Sequence, residues 1–346
     1  MAVRISDIAE ALGISEATVS LALNNKSVVS EKTRQKVQQT AEKMGYFPNA
    51  YAQGLAKKTS GTIGLVVPDI TNPYYGELVK NCGERIREKK YNPLFAYSND
   101  SRTIEEQVID QFISERVEAV LIAPTNKDCL NGDYTRKLER YGIRYMFVTS
   151  YYHNIVAPYA MVNLESGSYQ LISYLLDLGH RDIYFLSSNP EMIPTLTRIH
   201  GYRRAFEEYG LEVDEKKFID CNAVTFDQAF WMTEELLRSG RNIDAIVAMN
   251  DMMALGALRS LMNHGIKIPD EISLAGYDDV IFSNVSAIPL TTVKQDIARL
   301  GRDAVDILVR MLEGKQGTET MMIEPELVVR KSTGRKKACR KDLVKV

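Results

Sequence analysis

The stretch SDIAEALGISEATVSLALNN, residues 6–25, predicts two short amphipathic helices separated by a tight turn. Ser6 or Asp7 is the expected N-cap of the first helix, and Gly13 is its expected end. Ser15 is the expected N-cap of the second helix. Apolar residues recur at helical spacing on one face of each helix: Ile8, Ala9 and Leu12, then Val19, Ala22 and Leu23. Two helices joined by so short a turn form a helix-turn-helix motif.

The polar face of the second helix has two possible explanations. It is the solvated face of a small helical core, or it enters the major groove of DNA, as second helices of this motif do. Glu16 can accept a hydrogen bond from a cytosine amino group, and Ala17 can meet a thymine methyl group. Ser20 and Asn24 are side chains of the kind that bind phosphate oxygens. The residues that follow decide between the two explanations.

Charge is distributed unevenly along the 346 residues, although the net charge is only -2. Residues 1–60 carry a balance of +3 and residues 330–346 a balance of +7, which leaves -12 for the middle of the chain. An acidic body is repelled by phosphate, so nucleic acid is expected to bind through an end of the chain. The length predicts two or three domains.

Cysteine usage and hydropathy predict a cytoplasmic protein. The four cysteines are scattered, with no C-x-x-C pair, so neither a disulfide framework nor a zinc site is expected. The N-terminus has no apolar signal segment, and no apolar run of eighteen residues predicts a membrane span. The four histidines show no metal-ligand spacing, and we expect no metal and no cofactor.

A third helix is predicted in VVSEKTRQKVQQTAEKMG, residues 28–45, between a Ser30 cap and Gly45. It is followed by YFPNAYAQGLAKKTSG, residues 46–61. The three helices and the Pro-Asn-Ala linker, in this order and at this spacing, resemble the DNA-binding headpiece of the LacI/GalR family of bacterial transcriptional repressors. The resemblance implies a homodimer that binds a pseudo-palindromic operator in double-stranded DNA, each headpiece reading one half.

The resemblance also assigns roles in the headpiece. The expected base-reading residues are Glu16, Ala17 and Leu21, and the expected phosphate contacts are Ser6, Thr18, Ser20 and Asn24. Leu21 departs from the Arg or His often found at the last base-reading position of the family, and leucine cannot bind guanine through two hydrogen bonds. The operator sequence of better-known relatives is therefore not expected to apply here.

The segment after Pro48 corresponds to the family's hinge, which becomes helical when two subunits meet on DNA. Leu55 matches the leucine that wedges into the minor groove, and Ala52 and Ala56 are small enough for two hinge helices to approach. The alternative for Leu55 is an ordinary linker residue.

The rest of the chain alternates short apolar runs with helical stretches, which predicts parallel sheets built from βαβ units. Motifs such as VVPDITNPYYGEL, AMNDMMALGAL and PLTTVKQD resemble the family's core, which is similar to a type I periplasmic binding protein with two doubly wound lobes. The predicted fold is thus an all-α headpiece followed by an α/β core. The predicted domains are a headpiece (1–46), a hinge (47–60), a core (61–334) and a basic tail (335–346), with lobe 1 at about 61–161 and 290–318 and lobe 2 at about 162–289 and 319–334.

Ligands of such folds bind outside the carboxyl ends of the strands. The resemblance makes Arg198 and Asp278 the strongest effector contacts, because a guanidinium and a carboxylate facing across a cleft can bracket a polyol. Asn250 is a further candidate, with its neighbour Asp251 expected to cap the next helix. First-lobe candidates are Asn72, Tyr74 and Tyr75, with Tyr151 and Tyr152 as weaker ones.

Each effector candidate has a structural alternative. Arg198 and Asp278 can pair with each other to hold a loop, and Tyr74 and Tyr75 can be packing for the helix that they precede. The core also departs from the family pattern at Asn163 and in CNAVTF, residues 221–226, which leaves the aromatic cover of the ligand open.

Two other classes of function compete with a regulator: an enzyme and a transport receptor. An enzyme is not expected, since the nucleophile elbow, the phosphate loop and the dinucleotide fingerprint are all missing from the sequence, and His180 looks structural. The alternative is a solute-binding receptor of a transport system, which shares the core but lacks a DNA-reading module. The sequence therefore predicts a cytoplasmic repressor controlled by a small polar effector, most simply a carbohydrate. The tail after Thr333 has no heptad pattern, which favours a dimer over a tetramer.

Overall fold

The computed structural model describes residues 3–46, 60–125, 133–315 and 320–336. The chain divides into two compact units, Met1–Ser60 and Gly61–Val346.

The described residues of the first unit form three helices, α1 (Ile5–Leu12), α2 (Glu16–Leu23) and α3 (Glu31–Met44). The hydroxyls of Ser15 and Ser30 accept hydrogen bonds from backbone N–H groups three residues later, each at 3.2 Å, so both act as the expected caps. Buried side chains from all three helices and from the loop between α2 and α3 form one small core: Ile8, Ala9, Val19, Ala22, Val29, Val37 and Ala41. The predicted helix-turn-helix is confirmed.

The start of α1 differs from the expectation. Its N-cap is Arg4, and the prediction of a Ser6 or Asp7 cap is wrong. Asp7 lies inside the first turn, where its carboxylate accepts a hydrogen bond from the Arg4 backbone N–H at 2.8 Å. An acidic side chain in the first turn accepts a hydrogen bond from an unpaired backbone N–H group at the start of the helix, which is what a capping side chain also does. Gly13 ends α1 in the left-handed conformation, with φ of 64°.

The second unit is the α/β core. Its elements in chain order are β1 (Thr62–Val67), α4 (Pro73–Glu88), β2 (Asn92–Tyr97), α5 (Arg102–Ser114), β3 (Ala119–Ile122), α6 (Asp133–Arg140), β4 (Arg144–Val148), β5 (Tyr159–Val162), α7 (Leu164–Asp177), β6 (Ile183–Ser187), α8 (Ile193–Glu208), a 3₁₀ turn (Glu215–Lys217), β7 (Phe218–Asp220), α9 (Phe226–Arg238), β8 (Ala245–Ala248), α10 (Asp251–Asn263), β9 (Ser273–Ala275), α11 (Ile281–Val285), β10 (Thr292–Lys294), α12 (Ile297–Leu312), β11 (Thr320–Ile323) and β12 (Glu326–Val328).

These strands form two parallel sheets and a small antiparallel pair. The first sheet has the order β11-β5-β4-β3-β1-β2 and the second the order β7-β6-β8-β9, and every pairing within them is parallel. Strands such as β3 and β8 are buried along their whole length because helices cover both faces of the sheet. The doubly wound two-lobe architecture is as predicted.

The chain passes between the two lobes three times. It leaves the first lobe after β5, returns to it with α12, which packs on α4, and leaves again after β11. The third passage lies later than predicted. The predicted lobe 2 segment 319–334 begins with a strand of the first sheet, because Thr320 pairs with Tyr159 at the edge of that sheet. A four-residue apolar strand fits either sheet by sequence, so its pattern could not locate it.

Within the described residues, no helix combines the length and the apolarity needed to span a membrane.

Candidate functional site

A cavity opens in the core unit at the carboxyl ends of strands from both sheets, where doubly wound folds bind ligands. Its empty volume is about 540 Å³, counted with the solvent at its mouth. Six of the eight effector candidates line it: Asn72, Tyr74, Tyr75, Arg198, Asn250 and Asp278. The remaining described lining residues are Pro124, Thr149, Ser150, Leu164, Pro194, Val224, Met249 and Gln295.

Arg198 and Asp278 face each other in this cavity, and both are almost fully buried. Arg198 Nη2 lies 3.9 Å from Asp278 Oδ1, which is a long separation for an ion pair. The guanidinium lies over the ring of Tyr277 at 4.1 Å, and its Nη1 donates to the Pro194 carbonyl at 3.1 Å. Its Nε is buried without a hydrogen-bond partner among the described residues. Arg198 is therefore held in place by these contacts, and its Nε–H remains a donor without a partner among the described residues.

The carboxylate of Asp278 is oriented by Gln295, whose Nε2 donates to Oδ1 at 2.6 Å. Burial raises the pKa of Asp278 to about 7, although the Arg198 guanidinium and the Gln295 amide act in the opposite direction. A buried carboxylate of this kind is stabilised by a ligand hydroxyl that donates a hydrogen bond to it.

Gln295 lines the cavity but was not among the residues predicted from the sequence. It lies in the motif PLTTVKQD, directly after β10, and it also receives a hydrogen bond from the Tyr74 hydroxyl at 3.4 Å. Burial raises the pKa of Tyr74 well above its ordinary value, so this hydroxyl stays protonated and acts as a donor. Gln295 is thus hydrogen bonded both to Tyr74 of the first lobe and to Asp278 of the second. Its position directly after a strand could have identified it from the sequence, because ligands bind at strand ends in this fold.

Two of the predicted contacts are also helix caps. The Asn72 side chain accepts from the Tyr74 N–H at 3.0 Å, and that of Asn250 accepts from the Met253 N–H at 2.8 Å. Asn250 Nδ2 donates to the Val224 carbonyl at 3.3 Å. The prediction that Asp251 caps α10 is wrong, because the cap is Asn250 and Asp251 is the first residue inside the helix.

Two of the four aromatic candidates line the cavity, and the other two do not. Tyr74 and Tyr75 meet edge to face, 5.1 Å apart, at the cavity wall. Tyr151 and Tyr152 do not line the cavity: Tyr151 stacks on Tyr159, and Tyr152 donates from the lobe interior to the buried Glu105 at 2.7 Å. The loop of the second lobe contributes Val224 rather than an aromatic ring.

In the headpiece, the three expected base-reading residues lie on one exposed surface of α2. Glu16, Ala17 and Leu21 all face solvent. The expected phosphate contacts are half-buried: Ser6, Thr18, Ser20 and Asn24. Thr18 is hydrogen bonded to the Ser15 hydroxyl at 2.8 Å, and Asn24 Nδ2 donates to the Ser20 carbonyl at 2.8 Å, so both are oriented by α2 itself.

Other expectations concern the hinge and the histidines. Ala52, Leu55 and Ala56 lie outside the described residues. His180 is buried, and its Nε2 forms a hydrogen bond with the Gly334 carbonyl at 2.8 Å, which ties the C-terminal segment to the second lobe. In the described part of the chain, no group of three or more His, Cys, Asp or Glu side chains is placed to hold a metal ion.

A helix-turn-helix unit joined to a two-lobed α/β core with a polar cavity defines a DNA-binding transcriptional regulator. Residues 4–49 match the model of the bacterial regulatory proteins of the lacI family, and residues 172–333 match a periplasmic binding protein-like domain. The chain is 31% identical over 339 residues to the HTH-type transcriptional regulator DegA of Bacillus subtilis, covering 96% of this chain and 98% of that one. The chain therefore belongs to the lacI family of bacterial regulatory proteins.

Other relatives agree with this assignment. The HTH-type transcriptional repressor PurR of Vibrio campbellii is 30% identical over 94% of this chain and 97% of its own. The structure of the lac repressor dimer bound to operator and the anti-inducer ONPF superposes with a TM-score of 0.84 at 26% identity, over 96% of this chain and all of that one. The complex of the regulator CelR with cellobiose gives a TM-score of 0.71 at 26% identity, over 95% and 99% of the two chains. The protein is a regulator and not an enzyme, and the headpiece sets aside the alternative of a transport receptor.

Proposed function

We propose that the protein is a homodimeric cytoplasmic repressor that reads a pseudo-palindromic operator and is controlled by a small neutral polyol, most simply a carbohydrate, bound in the core cavity. The observation that supports the effector part is the facing pair of Arg198 and Asp278, both buried and both lining the cavity, with Arg198 Nε lacking a hydrogen-bond partner among the described residues. Adjacent hydroxyls of a polyol can accept from the guanidinium and donate to the carboxylate.

The charge of the cavity favours a neutral ligand. Among the described lining residues, the charged side chains are Arg198 and Asp278, and these have opposite signs. A phosphate or carboxylate group would meet Asp278 without a second cation to compensate for it. The remaining polar lining groups, including Asn72, Ser150 and Gln295, are amides and hydroxyls that suit sugar hydroxyls. The CelR complex with cellobiose is consistent with this class of ligand.

Headpiece contacts follow from the motif. We assign base reading to Glu16, Ala17 and Leu21, whose side chains are exposed on α2. The phosphate contacts are assigned to the half-buried residues of the same unit: Ser6, Thr18, Ser20 and Asn24. The family relationship extends the assignment to Leu55 in the minor groove, with Ala52 and Ala56 between paired hinges.

A dimer needs an apolar surface, and α11 offers one. Ile281, Phe282 and Val285 of this short helix are 64%, 47% and 66% exposed. Large apolar side chains clustered at the surface mark protein contacts more often than single ones do. The lac repressor is a dimer on its operator, and the high structural similarity to it supports the same assembly here.

The operator reading is tested by selecting binding sequences from a random double-stranded DNA pool with the full chain near physiological salt, because phosphate affinity falls steeply with salt. Recovery of a two-fold symmetric motif is the expected result. Selected sequences without dyad symmetry would contradict the dimeric reading.

The effector is tested by isothermal titration of the full chain with cellobiose, D-glucose and D-ribose as neutral probes, and with glucose 6-phosphate and hypoxanthine as an anionic and a planar probe. We expect a neutral sugar to bind and to change operator affinity. Asp278→Asn should lose most of the response and keep basal operator binding, whereas Asp110→Asn, which removes a surface carboxylate of the first lobe, should behave as wild type. Binding of an anionic or planar probe alone would refute the neutral class of ligand.

A further inference from the structure

The turn between β9 and α11 places the carboxylate of Asp278 in the cavity, and its backbone is unusual. Asp278 has φ of 111° and Asp279 has φ of 60°, so two consecutive residues with side chains occupy the left-handed half of conformational space. Such residues persist where their surroundings determine the conformation, and they concentrate at functional sites. The question is which groups hold this turn.

Asp251 contacts the turn at both ends. Its backbone N–H donates to the Tyr277 carbonyl at 2.7 Å, and its Oδ2 accepts from the Val280 N–H at 2.9 Å. The other carboxylate oxygen, Oδ1, accepts from the Thr292 hydroxyl at 2.7 Å. Asp251 is fully buried and does not line the cavity, so its hydrogen bonds serve the turn and β10 rather than a ligand directly.

The neighbouring backbone leaves room for this carboxylate. A Cβ on Gly276 would lie 2.2 Å from Asp251 Oδ1, so a side chain at position 276 would displace it. On the other flank, the Asp278 N–H donates to the Val293 carbonyl at 2.8 Å, and the Arg330 guanidinium pairs with Asp279. Asp251 thus closes the turn from α10 while β10 and the C-terminal segment support it from the opposite side.

We propose that Asp251 is a positioning residue for effector binding, which clamps the turn from Tyr277 to Val280 and so holds the Asp278 carboxylate opposite Arg198. This inference rests on the proposed function for the role of Asp278. The clamp itself is a property of the ligand-free protein.

The clamp can be separated from the charge of Asp251. Burial raises the pKa of Asp251, and the nearby Asp278 carboxylate acts in the same direction. An asparagine at this position can still accept from the Val280 N–H and donate to the Thr292 hydroxyl oxygen. Asp251→Asn should therefore keep the clamp, whereas Asp251→Ala removes both acceptors and leaves a buried N–H unpaired.

The primary test is hydrogen exchange of the full chain without ligand, followed by mass spectrometry of the peptides covering residues 276–283. Asp251→Ala should raise exchange there by about tenfold or more, since the Val280 amide loses its acceptor. Asp251→Asn should restore exchange close to that of wild type. Thr292→Val is a milder variant, which frees one carboxylate oxygen and should raise exchange less in the same peptides.

Asp244→Ala is the matched control. Asp244 is a buried aspartate of the same lobe whose Oδ2 accepts from the backbone N–H groups of Arg181 and Asp182 at 2.8 and 3.0 Å, away from the cavity. It should raise exchange around residues 181–182 and leave 276–283 unchanged.

Three results would overturn the clamp: unchanged exchange in Asp251→Ala, a rise spread evenly over the lobe, or an Asp251→Asn variant that resembles Asp251→Ala. Cellobiose titration of the same variants adds the functional readout. Asp251→Ala should weaken sugar binding about tenfold or more at unchanged basal operator affinity, with rescue by Asp251→Asn. If cellobiose does not bind the wild type either, the result counts against the proposed ligand and not against the clamp. The hydrogen-exchange measurement then tests the clamp without any ligand.

Discussion

At the scale of single residues, the chemistry of the cavity depends on how Asp278 is buried. Burial alone would favour the neutral acid, while Arg198 and Gln295 favour the carboxylate, and the balance places its pKa at about 7. The 3.9 Å separation from Arg198 is too long for a strong hydrogen bond between the two side chains. The pair is therefore better suited to a ligand between its members than to closing a loop.

The first prediction concerns pH. A ligand hydroxyl that donates to Asp278 requires the ionised carboxylate, so binding releases a proton when pH is below the pKa of the free protein. Sugar affinity should rise as pH increases to about 7 and level off above it, with a limiting slope of about tenfold per pH unit on the acid side. Titrations of the sugar between pH 5.5 and 8.5 measure this slope.

Asp278→Asn is the control for this titration, because its side chain carries no proton to lose. Its residual affinity should be independent of pH over the same range. An equal slope in the variant and in wild type would assign the pH dependence to another group.

At the scale of elements, the proposed reading of DNA depends on α2. The Ser15 cap and the buried pair Val19 and Ala22 fix this helix on the headpiece core, which leaves Glu16 and Leu21 exposed on its outer face. The same eight-residue helix thus supplies the buried side chains that hold it in place and the exposed side chains on its outer face. Small changes on its outer face should therefore alter the preferred operator without unfolding the headpiece.

We predict that Glu16→Gln relaxes the preference at one symmetric pair of operator positions and costs roughly 1–3 kcal/mol against the best wild-type sequence. An amide retains the size of the carboxylate but offers cytosine a mixed donor and acceptor group. Glu10→Gln makes the same change of charge on the exposed side of α1, and it should leave the selected motif unchanged. Competition binding to single-base operator variants measures both proteins, and matching profiles for the two variants would remove Glu16 from the reading surface.

At the scale of the whole molecule, the proposed regulation requires two subunits, because two headpieces are needed to read the proposed two-fold operator. Within the core unit, the chain crosses between the lobes three times, and residues of both lobes line the cavity. Such a change is allosteric only if the ligand prefers one arrangement of the lobes, with coupling of typically about 1–3 kcal/mol.

Val285→Asp should convert the dimer to monomer, since it introduces a charge into the exposed apolar surface of α11. Operator affinity should fall by at least about 1.4 kcal/mol, or tenfold, because a monomer reads only half of the site. Sugar binding should be retained. Val156→Asp supplies the same substitution at a fully exposed position outside α11 and should remain dimeric. Analytical ultracentrifugation distinguishes the two, and a dimeric Val285→Asp would place the interface elsewhere.

The amino-acid sequence by itself determined the local structure and the class of protein. Helix caps such as Ser15, the apolar period of α2 and the alternating strands and helices are short-range properties, and they predicted the headpiece and the parallel sheets. The resemblance of the core motifs to the family also predicted Arg198 and Asp278 as effector contacts, and both side chains line the cavity at the carboxyl ends of the parallel strands.

Only the tertiary structure decided the contacts between segments distant in sequence. Strand β11 joins the first sheet through pairing with β5, which no local pattern encodes. Gln295 orients Asp278 from seventeen residues away, and Asp251 bonds Val280 across twenty-nine. The role of a buried polar side chain is set by the partners that surround it, and these partners are brought together only when the lobes fold.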